Sequence, residues 1–151
     1  MKGPAAFEEG LAKLMEARAL DTLVKTHFPE EYKFFVETRD RCLAHLAPNH
    51  PHVPPESFTL HSEDGKYRWS AAYPESVQLV QFIGERLVEH GYDFYKLVEE
   101  ARVQNKTLQL ARAIEATFGK GAYKEIMSTD EDSALKMLEQ LKESSGAQQL
   151  S

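Results

Sequence analysis

Phe58-Thr-Leu-His-Ser-Glu-Asp-Gly-Lys-Tyr-Arg-Trp-Ser-Ala-Ala-Tyr73 is the one stretch of the chain that alternates as a β-hairpin does, and it holds the single tryptophan. Asp64-Gly65 fits a two-residue turn, because both central residues of a type I′ turn take positive φ, which glycine adopts freely and aspartate tolerates. A turn there sets a register in which Phe58 opposes Ala71, Leu60 opposes Trp69 and Ser62 opposes Tyr67 on an apolar face. Thr59/Ser70, His61/Arg68 and Glu63/Lys66 then share a polar one. A lone hairpin is marginal in water, so this one is expected either to lean on helices or to complete a partner's sheet.

Helical spacing dominates on both sides of it. Phe7, Leu11, Leu14, Met15, Leu23 and Val24 mark a first helix ending near His27, and Pro29 suits the first turn of a second with Tyr32, Phe35, Val36, Leu43 and Leu46 on one side. Pro48, Pro51, Pro54 and Pro55 make 48–55 an extended linker. Pro74 opens a helix through Val77, Val80, Ile83 and Leu87 that Gly91 ends as a left-handed cap, and Asp93 is a natural N-cap for the next, with Phe94, Leu97 and Val98. After a polar break at Asn105 to Thr107, a helix with Leu108, Ala111 and Ile114 runs to Gly119. A short turn with Tyr123 and Ile126 follows. Ser128 with Glu131 reads as a capping box ahead of a last helix bearing Leu135, Leu138 and Leu141. The expected fold is mainly α, five to six helices with one inserted β-hairpin, about residues 57–72, packed on the helical layer. Residues 1–143 are expected to form a single domain, with subdivision at 48–55 as the alternative and 144–151 as a flexible tail.

Composition narrows the class. Hydrophobic residues at 42% and charged residues at 28% argue against wholesale disorder and against a membrane protein. No apolar run approaches the roughly 18 residues a spanning helix needs, and no apolar core follows Lys2 as in a secretory leader. The single cysteine, Cys42, forbids an intrachain disulfide and suits a reducing compartment, so the protein is expected in the cytoplasm. The net charge of -6 disfavours a general polyanion binder.

Metal-capable residues gather in one window: Cys42, His45, His50, His52 and His61. Cys42 and His45 stand three apart, on one helix face, and thiolate and imidazole both suit zinc. No second cysteine and no His-Glu-x-x-His pattern accompanies them. Zinc binding is therefore kept as a second alternative, no cofactor or catalytic residue is assigned, and the chain is read as not an enzyme.

From Ala101 to Lys124 the positive residues Arg102, Lys106, Arg112, Lys120 and Lys124 face one acid, Glu115. Within this region Leu97 to Glu115 resembles a helix-turn-helix with Leu97, Val103, Leu108 and Ala111 as packing positions, and with Val98 and Arg102 where the motif takes a small residue and a glycine. The resemblance implies that Gln104, Asn105, Lys106, Gln109 and Arg112 would face a major groove. Glu125, Asp130, Glu131 and Asp132 then reverse the sign, a pattern more typical of protein docking. The adjacent Phe34 and Phe35, and the crowded Tyr92, Phe94 and Tyr95, add aromatics that an interface uses as anchors.

The leading expectation is a non-catalytic intracellular protein-binding module, acting as a regulator, inhibitor or assembly factor on a larger protein partner. Tyr67, Trp69 and Tyr73 are its expected anchors, Arg68 lies on the hairpin's polar face, and Arg102, Lys106 and Arg112 steer the encounter. The alternative is a nucleic-acid-binding regulator using the helix pair 93–118.

Overall fold

The computed structural model describes residues 5–46, 54–64, 66–71 and 73–150; at 46, 59–63, 66–71 and 145–150 it describes the backbone alone. Helix α1, Ala6–Ala19, passes through a π segment, Leu20–Val24, into the short α2, Lys25–His27. Next come α3, Pro29–Leu46, and, after a 3-10 turn at Pro55–Ser57, the strands β1, Phe58–Glu63, and β2, Lys66–Ala71. The rest is helical: α4, Pro74–Glu89; α5, Phe94–Val103; α6, Leu108–Phe118; α7, Ala122–Ser128; and α8, Ala134–Leu150, entered by a 3-10 turn at Glu131–Ser133.

α4 is the spine. Val77, Leu79, Val80, Ile83 and Leu87 are each fully buried, because α1, α5, α6 and α8 all pack against this one helix. Their apolar stripes meet it: Phe7, Leu11 and Leu14 from α1, Phe94 and Val98 from α5, Ile114 and Phe118 from α6, Leu138 and Leu141 from α8. Two glycines let the helices come this close. A Cβ at residue 10 would stand 2.2 Å from the Ser76 carbonyl oxygen and 2.8 Å from Val80 Cγ2, and a Cβ at Gly84 would stand 2.8 Å from the Phe94 ring.

Helix ends follow their chemistry. Gly91, at φ 89°, closes α4 with bonds from its own N–H to the Val88 carbonyl and from the Tyr92 N–H to the Leu87 carbonyl, both 3.0 Å. Asp93 caps α5 by accepting from the Lys96 N–H. The capping box expected of Ser128 and Glu131 does not form: Ser128 Oγ donates to the Glu125 carbonyl behind it, and Asp130 caps the turn into α8 by accepting from the Ser133 N–H at 3.0 Å. α8 then runs on through Leu150, across the residues expected to form a tail.

The expected architecture is corrected. Where side chains are described the chain is 84% helical, in seven helices once α2 is counted as the end of α1, and that body contains no strand or sheet. It is a mainly α body, not a helical layer with a hairpin packed on it. The backbone at 58–71 pairs as an antiparallel ribbon, Phe58 opposite Ala71 through Glu63 opposite Lys66, with no third strand among the described residues. Two strands alone gain little stability, and Phe58 of β1, buried among the described residues, stands apart from the main helical core cluster. Gly65 and linker residues 48–53 lie outside the described residues.

Two consequences are measurable. Gly10→Ala pushes a methyl into the backbone of α4 and is expected to cost about 1–3 kcal/mol in urea denaturation, despite alanine's better helix propensity; an unchanged midpoint would show that the helices are not held there. Glu131 is the second case, its carboxyl held above its ordinary value of 4.5 first by desolvation and then by Glu9, Asp132 and Asp130. A raised acid contributes stability that is complete below the unfolded value and is lost as pH rises through the folded one. Glu131→Gln is therefore expected to melt higher than the parent at pH 7, with the gain vanishing towards pH 4.

Candidate functional site

α1 and α5 both lie on α4 without packing closely along each other, and a furrow opens between them. Phe7, Leu11, Met15 and Arg18 recur at four, four and three residues, so they form one stripe of α1. Tyr95, Val98 and Arg102 form the facing stripe of α5. At one end Phe7, Leu11, Val98, Leu110 and Met127 enclose a hollow of about 280 Å³ with Glu8 and Arg102 among its lining residues. It continues past Val98 and Arg102 into a second hollow of about 540 Å³ that Met15, Glu99 and Val103 also line. Val103 is 77% exposed and Leu108, just beyond it, 57% exposed.

The Arg18 guanidinium lies 3.9 Å from the centroid of the Tyr95 ring. A cation over an aromatic face at this distance is attracted by the ring quadrupole. The pair therefore bridges the furrow from α1 to α5 and divides it in two. Beyond the bridge a third hollow, about 600 Å³, lies between the later turns of α1 and α4 and carries Asp21, Glu56, Glu85 and Glu89. Tyr32 of α3 donates to Asp21 Oδ1 at 2.7 Å, and this bond, ahead of burial, raises the Tyr32 phenol above its usual range.

Of the sequence-derived candidates whose side chains are described, Arg102 and Tyr95 line the furrow. Tyr73, Lys106 and Arg112 are exposed but do not line it. Tyr73 instead precedes Pro74 in the left-handed region, at φ 54°. Tyr67, Arg68 and Trp69 place their backbones in β2, and their side chains lie outside the described residues. Gln104, Asn105, Lys106, Gln109 and Arg112 are all exposed around the α5–α6 junction. Asn105 takes φ 53°, three residues past Arg102, which stands where the motif takes its glycine but is still within α5. Val103 and Leu108, read as packing positions of a helix-turn-helix, are exposed instead.

Cys42 is half-buried and His45 exposed on α3; the His61 side chain, and His50 and His52 altogether, lie outside the described residues. Among the described residues no three His, Cys, Asp or Glu side chains gather as metal ligands do. The residues that sequence reasoning missed are Arg18, Met15 and Val98 as parts of one surface. Their only sequence signal is the α1 stripe continuing into a charged residue at its last step.

No protein-family model matches the chain, and no curated protein or solved structure matches it. Among the described residues no helix is long and apolar enough to cross a membrane. The furrow's use of exposed apolar residues makes one prediction about stability: Val103→Asp is expected to leave the unfolding free energy within about 0.5 kcal/mol of the parent, whereas Ile83→Ala, at the fully buried spine, loses about 2–5 kcal/mol. Equal losses in a denaturation series would place Val103 in the core.

Proposed function

We propose that this chain is a non-catalytic protein-binding module, a regulator, inhibitor or assembly factor, that receives an amphipathic segment of a larger protein partner in the furrow between α1 and α5. The observation that carries the reading is the furrow itself: two helices set apart on a common third, with an apolar floor and the exposed Val103 beside it. A helix laid between α1 and α5 would cover that floor with its own apolar stripe, the way helix-in-groove recognition works. Arg102, which has no ion-pair partner among the described residues, stands where it would steer an approaching carboxylate. The anchoring role expected of Tyr67 and Trp69 passes to the furrow.

A photo-crosslinking residue at Val103 is expected to trap a partner in the source cell, while the same residue at Leu135, an exposed position of α8, traps none. Val103→Asp should abolish the adduct formed from a crosslinker at Met15 without loss of fold. Equal trapping at Val103 and Leu135 would remove the furrow from consideration.

A second reading, nucleic-acid docking through Gln104, Asn105, Lys106, Gln109 and Arg112, is supported by the exposure of all five around the α5–α6 junction. It requires binding to random duplex DNA that weakens steeply with salt, and a slope reduced by about two when Lys106 and Arg112 become Ala. No binding at low salt sinks it.

A further inference from the structure

α1 and α4 come into backbone contact at Gly10 and Ser76. Past that contact, the third hollow lies between Leu14–Arg18 of α1 with Asp21 of the π segment and Val80–Glu89 of α4, with Phe94 and Tyr95 of α5 on its third side. Leu14, Val80 and Phe94 are buried apolar residues facing it, and Val88 at its rim is 59% exposed. At 1.5 Å per residue these helix segments span about 10–14 Å, which is about two helical turns of an occupant.

The charge around this floor is mostly negative. Asp21, Glu56, Glu85 and Glu89 line the hollow against a single cation, Arg18, and Arg18 is already engaged over the Tyr95 ring. Asp21 accepts from Tyr32 and Glu89 pairs with Arg86. Glu56 and Glu85 have no ion pair among the described residues. Carboxylates on one small hollow reinforce each other within a Debye length.

We infer that the acidic hollow between α1 and α4 seats a cationic amphipathic helix from a protein partner. Its apolar residues lie on Leu14, Val80 and Phe94, and its lysines or arginines lie against Glu85 and Glu56. The inference rests on the protein-binding role proposed above and adds the sign of the partner. A helix fits because the hollow is bounded by two helices running alongside each other, and two turns of apolar stripe match its length.

The test uses two synthetic 14-residue peptides with leucine at helical spacing, one with lysine and one with glutamate at the remaining positions, titrated by fluorescence anisotropy against the full chain. The variants are Glu56→Gln with Glu85→Gln, and Glu139→Gln with Glu143→Gln, exposed positions of α8, as a control of equal charge, each checked for folding by thermal melting. The lysine peptide is expected to bind the parent and the α8 variant alike, about fivefold more weakly to the hollow variant, and more weakly in high salt. The glutamate peptide is expected to bind at least about tenfold more weakly than the lysine peptide.

Equal binding of both peptides, equal loss in the two double variants, or no binding of the lysine peptide overturns the inference. So does competition by spermine at the lysine peptide's own affinity, which would make the hollow a polyamine site. Self-association that the hollow variant alone abolishes, seen by sedimentation, would assign the hollow to a second copy of this chain and overturn it too. Each of these leaves the Val103 adduct in place, whereas failure of the protein-binding reading shows as loss of selectivity between Val103 and Leu135.

Discussion

The contact between Gly10 and the carbonyl of Ser76 fixes how α1 lies on α4, and the rest of the surface follows from that placement. Without a side chain at residue 10 the two backbones approach as far as van der Waals radii permit. Phe7, Leu11 and Leu14 then reach the core on one side of α1, while the furrow beside α5 draws on Phe7, Leu11, Met15 and Arg18. The start of α1 is pinned independently by the Ala6 N–H, which donates to the Thr129 carbonyl at 2.8 Å. One helix therefore serves core and site at once, and its orientation is held at two points near its beginning. Past these anchors, from Arg18 through α3, the structure buries none of the side chains it describes.

How much of this can be read in the sequence depends on whether the signal is local. Pro29 and Pro74 start helices because a missing N–H costs nothing in a first turn, and Gly91 ends one because it alone accepts the left-handed value cheaply. Those signals are contained within a few residues, and the periodicity of Val77, Val80, Ile83 and Leu87 marks the spine in the same way. The alternation of 58–71 is equally local and conspicuous, and it drew the expected architecture towards a layered form that the helical body does not have. Ser128 and Glu131 matched a capping pattern, yet Asp130 sits closer to the turn's free N–H groups and takes the role.

The site belongs to the other kind of information. A glycine inside a helix looks like a weak point in sequence, and only the packing of α1 on α4 turns Gly10 into a contact. Arg18 and Tyr95 are separated by 77 residues of chain, by their numbers in the sequence, and nothing in either neighbourhood says that one ring will lie under the other's guanidinium. The same holds for charge. The basic run Arg102 to Lys124 is visible by counting, whereas Asp21, Glu56, Glu85 and Glu89 come from three separate segments and converge through the fold alone.

The Arg18–Tyr95 bridge sets the remaining relation between the two halves of the furrow. A segment confined to the apolar half leaves the bridge intact, and one confined to the acidic half meets Arg18 as a competing cation. A segment long enough to occupy both must pass over the bridge or open it, and opening a cation–π contact at an exposed position costs about 0.5–1 kcal/mol. That is a small barrier beside the roughly 2 kcal/mol or more that a single buried anchor residue supplies at an interface. Once displaced, the guanidinium would lie within reach of Asp21, which lines the same hollow, so part of the cost returns as an ion pair. The bridge is therefore better suited to setting the register of a continuous ligand than to separating two independent ones.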